Sequence, residues 1–124
     1  MPLALKKQVL LLERRRLPRT LINLPLEYRW VNCTRYRGAY TGDASRLGLL
    51  MYSVDDMPIG AELEVWLFFA DDYRLDTVGF LAKIVRKDLH RDRDWKGYKY
   101  GIEFTEISGQ DREKLELILR QDSH

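Results

Sequence analysis

Apolar and polar positions alternate with a period of two through most of the chain. The clearest stretch is Glu62 to Phe69. Leu63, Val65, Leu67 and Phe69 fall on one side, and Glu62, Glu64, Trp66 and Phe68 on the other. This is the pattern of a strand with one buried face. Leu26, Tyr28 and Trp30 alternate in the same way with Glu27, Arg29 and Val31, after a lead-in over Thr20 to Leu24 and a break at Pro25. Further strands are expected over Thr34 to Thr41, Leu47 to Tyr52, Val78 to Arg86 and Tyr98 to Thr105. Turn residues separate them at Gly42-Asp43, Pro58-Ile59-Gly60 and Asp71-Asp72. Lys87 to Asp94 reads as a charged, solvated hairpin end. Six short strands at this spacing predict a mainly β fold, a closed or nearly closed antiparallel barrel.

The period changes near the C-terminus. Ser108, with Asp111 three residues on, reads as the N-cap of a helix over residues 109–121. Leu115, Ile118 and Leu119 form its apolar stripe, which is expected to pack on the barrel or cover one of its openings. At the other end, residues 1–13 mix leucines with basic residues and read as an arm or a short helix, which Pro18 prevents from continuing. Residues 14–124 then form one domain. The length of 124 residues fits that reading, and 45% hydrophobic with 32% charged residues excludes a disordered chain.

Charge sharpens the picture through its distribution. Lys6, Lys7, Arg14, Arg15, Arg16 and Arg19 face a single acid, Glu13, so residues 6–19 carry +5 while the whole chain carries +2. A basic segment on a slightly acidic body points to a local anionic partner rather than to a coat for nucleic acid. The single cysteine, Cys33, asks for no oxidising compartment. The apolar run Val9 to Leu12 is too short to span a bilayer and is followed by Glu13 and three arginines where a signal peptide needs small residues. A cytoplasmic protein is expected.

Two motifs carry chemistry. Arg15 and Arg19 make R-x-x-x-R, and Asp43-Ala44-Ser45-Arg46-Leu47-Gly48 reads D-x-S-x-x-G. They stand 24 positions apart (19 to 43), with two expected strands between, a length that can bring both to the same end of a barrel. Guanidinium groups match phosphate oxygens and the O6 and N7 acceptors of guanine, and their flat faces stack on purines. A carboxylate offers only acceptors, which suit the N1–H and N2–H donors of guanine. A serine hydroxyl donates to a phosphate or a base, and a glycine permits close backbone approach. Such a set reads a guanine nucleotide.

The order R-x-x-x-R, a strand pair, D-x-S-x-x-G and a short apolar strand resembles the PilZ domain. Tyr100-Gly101-Ile102-Glu103-Phe104 is similar to that family's closing strand, and the resemblance covers roughly residues 14–107. It implies a six-stranded barrel that binds the bacterial second messenger cyclic di-GMP at its rim and catalyses nothing. Arg15 and Arg19 would clamp phosphates and guanine from a flexible N-terminal segment. Asp43 and Ser45 would hold a guanine from the barrel surface, with Gly48 allowing the turn. Arg14, just before R-x-x-x-R, is similar to members that take an intercalated pair of ligand molecules. No cofactor is implied. Output would pass through a protein effector.

Blander readings stand beside these. The arginines alone fit a solvated arm, and Asp43-Ala44-Ser45 alone fits a turn. Arg16 is left out of the site. Cys33 reads as a small strand residue, and neither His90 nor His124 has a companion at metal or triad spacing. Trp66 and Trp95 are expected in core or rim packing. The alternatives to a receptor are a PilZ-like interaction module without ligand and a nucleic-acid-binding barrel with a basic arm. An enzyme finds no phosphate loop, metal set or nucleophile–base pair.

Overall fold

A computed structural model describes residues 19–121. Seven strands and one helix follow in order: β1 (Thr20–Leu21), β2 (Pro25–Trp30), β3 (Arg37–Ala44), β4 (Gly48–Ser53), β5 (Glu62–Asp71), β6 (Arg74–Arg91), β7 (Lys96–Glu106) and α1 (Gly109–Gln121). Every pairing is antiparallel. Strands β3, β2, β5, β6, β7 and β4 are neighbours in that order, and a β3–β4 ladder closes the ring. The six-stranded closure expected from the sequence is thus present. The seventh strand, β1, pairs with β3 where β2 leaves off.

The alternation seen in the sequence is the inside and outside of this ring. Leu63, Val65 and Leu67 have no exposed surface, and Leu26, Tyr28, Met51, Val78, Ile84, Tyr100 and Ile102 join them in one buried cluster. Outside, Trp66 covers its paired residue Gly79, where an added Cβ would lie 2.5 Å from the indole.

The helix is capped as its sequence requires. The Ser108 hydroxyl accepts the Asp111 amide at 3.1 Å and donates to the Asp111 carboxylate at 2.9 Å. Leu115 and Ile118 enter the buried cluster, and α1 packs on β6. Lys114 pins it there through Asp76 and the Thr77 carbonyl.

Several strand bounds differ from those expected. Strand β3 starts at Arg37 and runs through Gly42 and Asp43, which read as a turn. Those residues instead form a bulge: Thr41 pairs with Met51 and Ala44 with Leu49, so Gly42 and Asp43 together face Leu50. Strand β6 runs on to Arg91, through most of the segment that read as a loop. Cys33 lies exposed in the β2–β3 connection, outside any strand. Trp30, grouped with the inward face of β2, is 39% exposed at the strand's end.

Candidate functional site

The site is assembled by β1. Thr20 pairs with Ala44 and Leu21 with Asp43, which sets Arg19 beside the D-x-S-x-x-G segment. A short irregular link separates β1 from β2. Asn23 takes a left-handed conformation (φ 50°), which asparagine tolerates. The buried Thr41 holds the link: its hydroxyl accepts the Leu24 amide at 2.8 Å and donates to the Leu24 carbonyl at 3.0 Å.

The D-x-S-x-x-G segment closes as a tight turn between β3 and β4. The Ser45 amide donates to the Gly48 carbonyl at 2.8 Å, and the Ser45 hydroxyl accepts the Leu47 amide at 3.2 Å. An acceptor role leaves that hydroxyl's own proton for a further acceptor. Gly48 is demanded by the barrel itself, since a Cβ there would meet the Ile102 carbonyl oxygen of β7 at 2.1 Å.

A cleft of about 400 Å³ opens over this turn, lined by Arg19, Asp43, Ser45, Gly48, Arg86 and Gly101 among others. Of the six residues expected in the site, the cleft brings together Arg19, Asp43, Ser45 and Gly48. Arg14 and Arg15 lie outside the described residues. Sequence reading missed Arg86. Its position comes from a second bulge: Ile84 pairs with Ile102 and Arg86 with Gly101, leaving Val85 as the extra residue. The ladders then set one lateral row across four strands. Asp43 in its bulge faces Leu50, Leu50 pairs with Gly101, and Gly101 pairs with Arg86. Neighbouring strands are about 4.8 Å apart, so the backbone positions of Asp43 and Arg86 stand roughly 14 Å apart along the sheet. An acceptor-bearing and a donor-bearing side chain thus flank a floor of small and apolar residues.

The turn is also tied to α1. Arg46 forms an ion pair with Glu116 at 3.1 Å, and Arg112 donates to the Arg46 carbonyl at 2.5 Å. Strand β1 is tied to the same helix, where the Thr20 hydroxyl donates to the Leu119 carbonyl at 3.4 Å.

Residues 13–121 match the PilZ domain family. The chain belongs to the PilZ domain family. Solved structures show the same fold at low identity. The chain is similar to Bacillus subtilis MotI/DgrA, an inhibitor of motility, with TM-score 0.70 and 17% identity. That match covers 87% of this chain and 50% of the other, so the chain spans half the length of that relative. It is also similar to the PilZ domain of Escherichia coli YcgR, solved with c-di-GMP, at TM-score 0.68 and 12% identity, covering 88% of this chain and 91% of that one. No curated protein matches the sequence. Among the described residues, no helix is long and apolar enough to cross a membrane, and no cluster of histidine, cysteine and carboxylates could hold a metal ion.

Proposed function

We propose that this PilZ protein is a cyclic di-GMP receptor, acting in the cytoplasm by binding and not by catalysis. The observation that carries this reading is the juxtaposition of Arg19 with Asp43 and Ser45 in one cleft, held by the β1–β3 pairing. Arg19 contributes a donor fork for a phosphate or for the N7/O6 edge of guanine. Asp43 accepts from the N1–H and N2–H edge, and Ser45 donates its free proton. Arg15 completes R-x-x-x-R, and Arg14 adds the stacking surface for a second, intercalated ligand. Residues 14–124 act as one ligand-binding domain, with residues 1–13 as its arm.

Signalling to a protein effector is the output proposed, and the ties to α1 support it. Ligand that draws Arg19 toward the D-x-S-x-x-G turn acts on Thr20 and Arg46, and both bond to the helix. A ligand shifts such an arrangement only by its preference for one state over the other. The nucleic-acid reading is weaker. The aromatic groove lined by Tyr40, Tyr52 and Trp95 carries Glu27 as its charged residue, which suits no phosphate backbone.

The test is isothermal titration of the purified protein with cyclic di-GMP, with GMP and cyclic di-AMP as controls. Saturable binding of cyclic di-GMP alone is expected, with a ratio near two per chain if Arg14 acts as assigned. No binding, repeated by NMR shifts, refutes the receptor and leaves the interaction module.

A further inference from the structure

Arg86 lines the cleft from β6, opposite the D-x-S-x-x-G turn and outside both motifs. Three observations single it out. Strict alternation through the inward-facing Val78, Phe80, Ala82 and Ile84 would send residue 86 into the core, and the bulge at Val85 turns it outward. Bulges beside sites commonly re-aim a side chain in this way. Its partner across the ladder is Gly101, where a Cβ would stand 3.1 Å from that of Arg86, so the absent side chain leaves the arginine stem room. Its Nε donates to the Asp88 carboxylate at 2.9 Å, on the same face of the same strand.

We infer that Arg86 is a further cation of the ligand site and that Asp88 is its built-in competitor. The inference rests on the receptor reading of this cleft. A carboxylate and a phosphodiester present the same thing to a guanidinium, namely anionic acceptor oxygens. Asp88 holds Arg86 when the cleft is empty. A phosphodiester of the dinucleotide takes its place when the cleft is filled. The side chains of Arg86 and Asp88 are 63% and 45% exposed, so the exchange requires no unpacking. An exposed pair is weak, worth less than a contact between arginine and a bound phosphate. Asp88 therefore lowers affinity modestly without blocking the site.

The experiment is a double-mutant cycle on the full chain, titrating cyclic di-GMP into the wild type, Arg86→Ala, Asp88→Asn and the double variant at one salt concentration. Circular dichroism confirms that each variant is folded. Arg86→Ala is expected to weaken binding about tenfold or more, the loss typical of a charge-assisted bond. Asp88→Asn is expected to tighten it by about two- to fivefold, the range for an exposed ion pair, and to change nothing once Arg86 is absent. Arg86→Ala binding within twofold of the wild type overturns the role of Arg86. Asp88→Asn that leaves affinity unchanged or lowers it overturns the competition. A wild type that binds no cyclic di-GMP refutes the receptor reading itself, a distinct result.

Discussion

Leu21 stands directly across from Asp43 in the β1–β3 ladder, and this pairing, with Thr20 across from Ala44, carries the chain that bears Arg19 into the cleft. Leu21 is exposed, so its own side chain does little to hold β1 in place. The buried Ile22 that follows it, backbone hydrogen bonds and the Thr20–Leu119 contact do so instead. Arg19 is itself exposed.

Arg19→Ala is accordingly expected to weaken cyclic di-GMP binding by about ten- to a hundredfold, because one charge-assisted bond is worth about 1.5–3 kcal/mol. The melting temperature of the ligand-free protein should be unchanged. Calorimetric titration with a thermal melt of the same sample checks both. Unchanged affinity would remove Arg19 from the site.

Thr41→Val tests how the site is held. Valine matches threonine in shape, but it neither accepts the Leu24 amide nor donates to the Leu24 carbonyl. The amide loses its side-chain acceptor in a part-buried place, at a cost of about 1 kcal/mol. Urea denaturation should show that loss. Binding should weaken as well, since the link at Asn23 sets where β1 lies. A loss of stability with unchanged affinity would separate the link from the site.

The parts of the fold that were legible in the sequence are those with one consistent periodicity. Strand β5 keeps strict alternation because β2 and β6 flank it and one face is buried throughout. Ser108 and Asp111 announced the helix because a cap is a local signal. Strand β6 beyond Arg86 was not legible. It pairs with β7 along Lys87 to Arg91, where β6 itself has no buried position, so its alternation has no core face to report. Gly42-Asp43 was read as a turn because a bulge and a turn call for the same permissive residues. Arg86 was hidden for a related reason: the bulge at Val85 inverts the phase on which side-chain direction is judged.

Gly48→Ala is expected to destabilise the fold whether or not ligand binds. Its Cβ would lie 2.1 Å from the Ile102 carbonyl oxygen and 3.1 Å from the Glu103 Cα, both backbone atoms that cannot swing aside. The β4–β7 ladder must open at Gly48↔Glu103, with a loss of about 3 kcal/mol, the upper end of overpacking. Denaturant melts of the ligand-free variant measure it. Full stability with lost binding would instead mean that Gly48 serves ligand approach alone.

Tyr28 gives the protein an alkaline limit. Its ring is buried, and its hydroxyl lies 2.6 Å from the Ser53 hydroxyl and donates to the Asp55 carboxylate, which also pairs with Arg37 at 2.6 Å. Burial first, and then the bond to Asp55, hold the phenol proton well above the ordinary tyrosine range. The unfolded chain releases that proton near pH 10 while the folded chain keeps it. The stabilisation is therefore complete below about pH 10 and is lost as pH rises through the folded value. Tyr100 is raised in the same direction, again by burial, and adds to the fall. Tyr28→Phe should cost about 1–3 kcal/mol at neutral pH, because Asp55 loses a donor. It should also make stability fall less steeply above about pH 10 than in the wild type. Urea midpoints of both proteins, followed from neutral pH to about pH 11, give the comparison. Parallel curves would assign the alkaline loss to Tyr100 and other groups.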